Sequence, residues 1–161
     1  MTYHIRKAGP LDARALSELL NEIIDVGGTT AYMHHFTAHD LAQKMQVPHS
    51  TWLLAEDDTG RVMGFQWIEP HPDLPHDVVD IASFVRIGGT GLGVGSQLFQ
   101  ATCKAAKDIG YRAIDAIIRA DNAGGLAYYQ SRGFETLKVI KDAELDDGTR
   151  VDKIWKRYDL R

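Results

Sequence analysis

The stretch GTGLGVGSQLF, Gly89 to Phe99, places four glycines within seven positions directly ahead of an amphipathic pattern. Each glycine costs backbone entropy on folding, so the run needs a physical purpose. A glycine loop opening a helix leaves unpaired N–H groups open to close approach, and the helix dipole adds a favourable potential for an anion. Phosphate is the expected guest, with plain turn geometry as the competing reading. GLGVGS superficially matches a dinucleotide-binding fingerprint, and Asp115 lies about twenty residues beyond Gly95 where a ribose-binding acid would be sought. That fingerprint follows the first strand of a parallel unit. Here three adjacent strand patterns precede the loop, and Asp115 sits inside a strand pattern that continues through Ala116, Ile117 and Ile118. The P-loop pattern is also missing, because no Lys-Ser or Lys-Thr follows the glycines.

Other residues capable of chemistry are more weakly arranged. His35 and His39 are four apart with His34 adjacent, but Thr37 is placed to cap a helix between them, which removes the shared helical face that a metal pair needs. No metal site is expected. Cys103 is the single cysteine, so an intrachain disulfide is impossible, and its setting among Ala101, Ala105 and Ala106 reads as core filling. The 161 residues, 44% of them hydrophobic, suit one domain with one sizeable core. A formal charge of −4 with scattered basic residues gives no footprint for nucleic acid or an anionic membrane. No apolar run is long enough to cross a bilayer and MTYHIRKAGPLD lacks a signal-peptide centre, so a cytoplasmic location is expected.

The elements that must position these groups follow from periodicity. Tyr3 to Lys7 alternates as a strand, and Asp12 is placed to cap a helix carrying Leu16, Leu19, Leu20, Ile23 and Ile24 that stops at Gly27 and Gly28. Thr37 with Asp40 forms a capping box for a second helix running to about Met45. STWLLAED and RVMGFQWI read as a hairpin around DDTG, and VVDIASFV as a third adjacent strand. A helix from Ser96 to Ile109, the strand YRAIDAIIR, a short helix capped by Asp121 or Asn122, and the pair FETLKVI and RVDKIWKRYDL complete the chain. The expected fold is α+β, in the order βααβββαβαββ, on a largely antiparallel sheet flanked by helices.

Two segments resemble the GCN5-related N-acetyltransferase (GNAT) family. Its main signature is a strand ending in Val, then Arg or Gln opening R/Q-x-x-G-x-G/A ahead of a helix. Here Val85 ends the strand, Thr90 falls at the Arg or Gln position, and Gly93 and Gly95 fill the glycine places. Its second motif is Asn, a short helix and Y-x-x-x-G-F, matched by Asn122 and by Tyr129 with Gly133 and Phe134. The resemblance implies a domain over residues 1–161 that binds acetyl-coenzyme A. The pantetheine arm would insert beside Phe84 and Val85, on a strand that splays from its neighbour around a bulge. Thr90, Gly91, Leu92, Gly93, Val94, Gly95 and Ser96 would hold the pyrophosphate. Thr90 removes a side-chain donor, leaving the backbone N–H groups to dominate. Asn122 would hold the arm by its amide.

The reaction so implied is direct transfer of acetyl to a primary amine of a small or amino-acid-like acceptor. It needs a neutral amine, a stabilised oxyanion and a proton for the departing thiolate. An alkylammonium is only about one part in a thousand neutral at pH 7, a cost of roughly 4 kcal/mol, so a proton acceptor is required. By resemblance Tyr129 is the general acid, and a strand N–H near Phe84 or Val85 serves the oxyanion. Asp80 is the preferred base, with Ser83, Glu69 and His71 nearby as alternatives. The segment GGTTAYMHHFT is expected to cover the acceptor pocket, with Tyr32, Met33, Phe36 and Trp67 as wall or core. Two other readings are a non-catalytic acyl-CoA-binding sensor in which Tyr129 packs inertly, and transfer to a protein amino group. The final strands could pair across a homodimer.

Overall fold

Alternation of side chains across TWLLAE, VMGFQWIE and VVDIASFV builds three adjacent antiparallel strands with an apolar load on each face. The computed structural model describes residues 2–88 and 93–161. Thr90, Gly91 and Leu92, expected to face the phosphate, lie outside the described residues. The elements are β1 His4–Lys7, α1 Ala13–Val26, α2 Ala38–Lys44, β2 Thr51–Glu56, β3 Val62–Glu69, β4 Val78–Val85, α3 Val94–Ile109, β5 Ala113–Arg119, α4 Ala123–Ser131, β6 Glu135–Glu144 and β7 Arg150–Asp159. The strands form one sheet in the order β1-β2-β3-β4-β5-β7-β6. All neighbouring strands are antiparallel except β4 and β5.

One face of the sheet carries Trp52, Leu54, Phe65, Trp67 and Phe84, which pack against Leu16, Leu20, Ile23 and Leu41 of α1 and α2. The other face carries Leu53 and Ala55 against Val94 and Leu98 of α3, and Ile68, Ile81 and Ile114 with Phe99, Tyr129 and Phe134. Each large apolar side chain so buried stabilises the fold by about 1.5–3 kcal/mol. No helix among the described residues is long and apolar enough to cross a membrane.

Thr37 and Asp40 form the expected capping box on α2, with Asp40 N–H donating to Thr37 Oγ1 at 3.0 Å and Thr37 N–H to Asp40 Oδ2 at 2.8 Å. Three local expectations are corrected. Asp12 makes no side-chain cap on α1. Its carboxylate instead accepts Gly9 N–H at 2.9 Å and both Nη groups of Arg6 at 3.0 and 2.8 Å, a bidentate pair that occupies both of its oxygens. The helix expected from Ser96 begins at Val94, since Gly93 takes the left-handed conformation, φ +86°, that starts it earlier. The bulge expected in the splayed strand is not present: β3 and β4 stay in unbroken register from Gly64 opposite Val85 to Glu69 opposite Asp80.

Candidate active site

The splay arises from divergence alone. β4 pairs with β5 only from Val78 opposite Ala113 to Asp80 opposite Asp115, after which β5 continues to Arg119 on β7. The β5-facing edge of Ile81 to Val85 therefore has no strand partner among the described residues. Arg86 N–H donates to Met63 O at 2.8 Å on the β3 side, so by alternation Phe84 N–H also faces β3 while Val85 and Ser83 N–H face the splay. Of the two residues singled out for the oxyanion, Val85 alone has its N–H on the open side. Phe84 instead places its ring 5.1 Å from Phe65 and 5.2 Å from Trp67.

Tyr129 closes the splay on the α3/α4 side. From α4, which follows β5, its Oη lies 2.7 Å from Ser83 Oγ on β4, and its ring packs 5.0 Å from Phe134 and 5.0 Å from Tyr128. Burial pushes its phenol well above the usual tyrosine range. Ser83 partly offsets this, while Tyr128 and Asp80 reinforce it. Ser83 belongs to a wider network: Gln66 Nε2 donates to Ser83 Oγ at 3.0 Å and to Tyr128 Oη at 2.9 Å, and Thr102 Oγ1 donates to Gln66 Oε1 at 2.7 Å. Tyr128 Oη in turn donates to Gly95 O at 2.7 Å in the first turn of α3.

Asp80 lies three residues from Ser83 and so on the opposite face of β4. Its carboxyl is pushed up to about 7, chiefly by burial and then by Glu69 and Asp115, with Lys44 pulling the other way. Glu69 is held by Lys44 at 2.8 and 3.0 Å. Asp115 is fully buried and answered by Trp155 Nε1 at 2.7 Å and by Arg157 at 2.7 and 3.0 Å. Tyr32 stands near the same carboxylates, its phenol pushed up to about 12 by burial, Glu69 and Asp80. His71 Nδ1 accepts Asp73 N–H at 3.0 Å, and its ring lies 5.9 Å from Trp155, the donor to Asp115. The acid and base candidates thus approach one gap from opposite faces of the sheet.

At the α3 end, Gln97 N–H makes the first intrahelical bond, to Gly93 O at 3.1 Å, so the N–H groups of Val94, Gly95 and Ser96 have no partner within the helix. Gly95 is required by packing as well as by any ligand, because a Cβ there would sit 2.7 Å from Tyr128 Cε1. Arg132 bonds Ser96 Oγ through Nη1 and lies 5.8 Å from the Tyr128 ring centroid. Sequence reasoning missed this cation, although it sits inside the motif YQSRGF. Amides with no partner within α3, a guanidinium and a strand edge open among the described residues are the donor set that a pyrophosphate and an amide-containing arm would need. Asn122 is already engaged: Oδ1 accepts Gly125 N–H at 3.0 Å as the cap of α4, and Nδ2 donates to Thr29 O at 3.1 Å.

That bond and Arg119 Nη1 to Thr30 O, at 3.1 Å, tie the segment after α1 to the end of β5. Tyr32 packs edge-on to Phe36 at 5.0 Å and 6.3 Å from Trp67. Trp67 is itself core, 1% exposed. A shallow pocket outside it is lined by Tyr32, Met33, His35, Phe36, Gln43 and Asp146. His35 precedes α2 and its Nε2 is 2.6 Å from Asp25 Oδ1, while His39 lies within the helix.

The sequence pattern of the acetyltransferase (GNAT) family matches residues 14–134, and the chain belongs to that family. Among curated relatives, mycothiol acetyltransferase of Pseudarthrobacter chlorophenolicus is 32% identical over 117 residues, covering 66% of this chain and 36% of that protein. The chain thus spans about a third of that relative's length. The fold matches a phosphinothricin acetyltransferase of Sinorhizobium meliloti, solved in complex with AcCoA, with TM-score 0.89, 20% identity and coverage of 99% of this chain and 89% of that one. It also matches an N-acetyltransferase of Staphylococcus aureus Mu50, with TM-score 0.88, 22% identity and full coverage of both chains.

Proposed function

We propose that the chain is a single acetyltransferase domain that moves an acetyl group from acetyl-CoA directly to a primary amine of a small or amino-acid-like molecule. The observation that carries this reading is the placement of Asp80, at the last β4–β5 pair where the gap begins, on one face of the sheet and of Tyr129 on the other. Family membership and the mycothiol acetyltransferase relative support a small acceptor.

When bound, acetyl-CoA supplies a thioester carbon open to nucleophilic attack. The residues of the chain do the rest. Asp80, poised near neutrality, takes the proton of the attacking amine as its nitrogen bonds to the carbonyl carbon. Val85 N–H donates to the carbonyl oxygen as charge builds there. Tyr129 Oη gives its proton to sulfur as the carbon–sulfur bond breaks, and solvent returns the balance by moving a proton from Asp80 to the phenolate. Because burial keeps Tyr129 protonated at neutral pH, the acid is loaded before each turnover.

The amides of Val94, Gly95 and Ser96 and the guanidinium of Arg132 hold the pyrophosphate. Arg132 supplies the charge that Thr90 does not. The groove along α3 lined by Gln100, Lys104 and Lys107 continues from Arg132 and suits the rest of the nucleotide. Asn122 acts first by fixing the start of α4, and hence Tyr129; contact with the arm requires its Nδ2 to leave Thr29 O.

A thiol-release screen with acetyl-CoA across amines, amino acids and peptides tests the reading. Release with a small amine supports it, whereas turnover confined to peptides moves the acceptor class to protein.

A further inference from the structure

Donor and acceptor accounting around Tyr129 goes one step further. Tyr128 has one hydroxyl proton, and Gly95 O, a pure acceptor 2.7 Å away, takes it. The Gln66 atom 2.9 Å from Tyr128 Oη must therefore be the donor Nε2, which fixes the amide and leaves Oε1 for Thr102 Oγ1–H. Nε2 spends its second hydrogen on Ser83 Oγ at 3.0 Å. Ser83 Oγ is thereby an acceptor toward Gln66, and among the described residues its one other partner is Tyr129 Oη at 2.7 Å. If Tyr129 donated, Ser83 would accept twice and its own proton would be left without a partner. If Ser83 donates, its hydrogen is bonded and one lone pair accepts from Gln66, and the phenol proton is the one left to point into the gap, where a thioester sulfur would take it.

We infer that Ser83, polarised by the Gln66 amide, is a positioning residue that donates to Tyr129 Oη, aiming the phenol proton at the leaving sulfur and holding the phenolate that remains. This rests on Tyr129 being the acid of the proposed function. The proton moves from Tyr129 Oη to sulfur while the carbon–sulfur electron pair goes to sulfur; Ser83 keeps its own proton throughout. The network reaches Tyr129 from the β4 side of the gap, running from Thr102 on α3 and Gln66 on β3 to Ser83 on β4. A serine that merely filled space would need no such fixed donor behind it.

The test compares wild type, Ser83→Ala, Ser83→Thr, Tyr129→Phe and the double variant Ser83→Ala/Tyr129→Phe, all with intact thermal transitions. Loss of a hydrogen bond to a developing charge predicts a fall in kcat of about 10- to 100-fold for Ser83→Ala with KM for acetyl-CoA little changed. Ser83→Thr, which keeps the hydroxyl, restores most of it. The double variant is no slower than Tyr129→Phe, because Ser83 acts only through that phenol. Without any ligand, the tyrosine Cζ NMR resonance that disappears in Tyr129→Phe shifts in Ser83→Ala and returns in Ser83→Thr. Fully additive losses, or a resonance that does not move, overturn the role of Ser83. A Tyr129→Phe variant as fast as wild type overturns the acid itself, and the role of Ser83 with it. A slow Tyr129→Phe beside a wild-type Ser83→Ala overturns Ser83 alone.

Discussion

Asp80 and Asp115 are register partners in the last pair that joins β4 to β5, and their charges are met differently. Asp115 accepts from Arg157 and Trp155, whereas the Asp80 carboxyl is pushed up to about 7 by burial and by Glu69 and Asp115. As the proposed base, Asp80 predicts that kcat at saturating acceptor falls below about pH 7, by roughly tenfold per unit, separately from the protonation of the free amine, which acts on kcat/KM. Asp80→Asn should lower turnover by about 10²- to 10⁴-fold and remove that limb from kcat, leaving the dependence of kcat/KM on the amine's own protonation. Steady-state rates from pH 5.5 to 9 (about 0.5-unit steps) check it; an unchanged limb in Asp80→Asn would assign the ionisation elsewhere.

The same ionisation marks stability with a definite sign. The native carboxyl holds its proton to about pH 7 and the unfolded one releases it near 3.8, so the native state binds more protons between those values and loses stability as pH rises through them. Asp80→Asn removes that penalty. Its melting temperature should exceed that of wild type at pH 8 and the difference should shrink towards pH 4, as read by calorimetry.

Tyr129→Phe keeps the ring contacts with Phe134 and Tyr128 and deletes only the hydroxyl. We predict a loss in kcat of about 10²- to 10⁴-fold with acetyl-CoA affinity by titration calorimetry within about 3-fold of wild type. Since burial raises the phenol, no loss of activity from its ionisation should appear up to pH 9 or so. Unchanged turnover with normal cofactor affinity would favour the inert, sensor-like role.

Much of this arrangement is legible from local signals. The glycines, the capping box at Thr37 and Asp40, and the alternation that puts Asp80 and Ser83 on opposite faces all act within a few residues. What is not legible is who meets whom at a distance. Gln66 joins Thr102 and Tyr128 across 36 and 62 positions, and no periodicity encodes that. Gly95 reads as an opening for phosphate, yet its lack of a side chain is also demanded by Tyr128. Asn122 reads as a cap of α4 and as a holder of the arm; it does cap the helix, but the path of the segment after α1 also brings Thr29 O to its Nδ2.

Arg132 stands at the first turn of α3 through Ser96 and Tyr128. Its loss should weaken acetyl-CoA binding by about 10-fold or more and flatten the salt dependence of binding, with kcat at saturation nearly kept. Calorimetric titrations of Arg132→Ala at low and high salt measure this; a fall in kcat at unchanged affinity would place the guanidinium in the wrong role.

The most direct measurement is a crystal structure with acetyl-CoA. The account predicts the thioester lodged between β4 and β5, its sulfur within hydrogen-bond reach of Tyr129 Oη, its carbonyl on Val85 N–H, and Asp80 facing it from the other side of the sheet. A thioester bound away from that gap, or a sulfur that Tyr129 cannot reach, would contradict it.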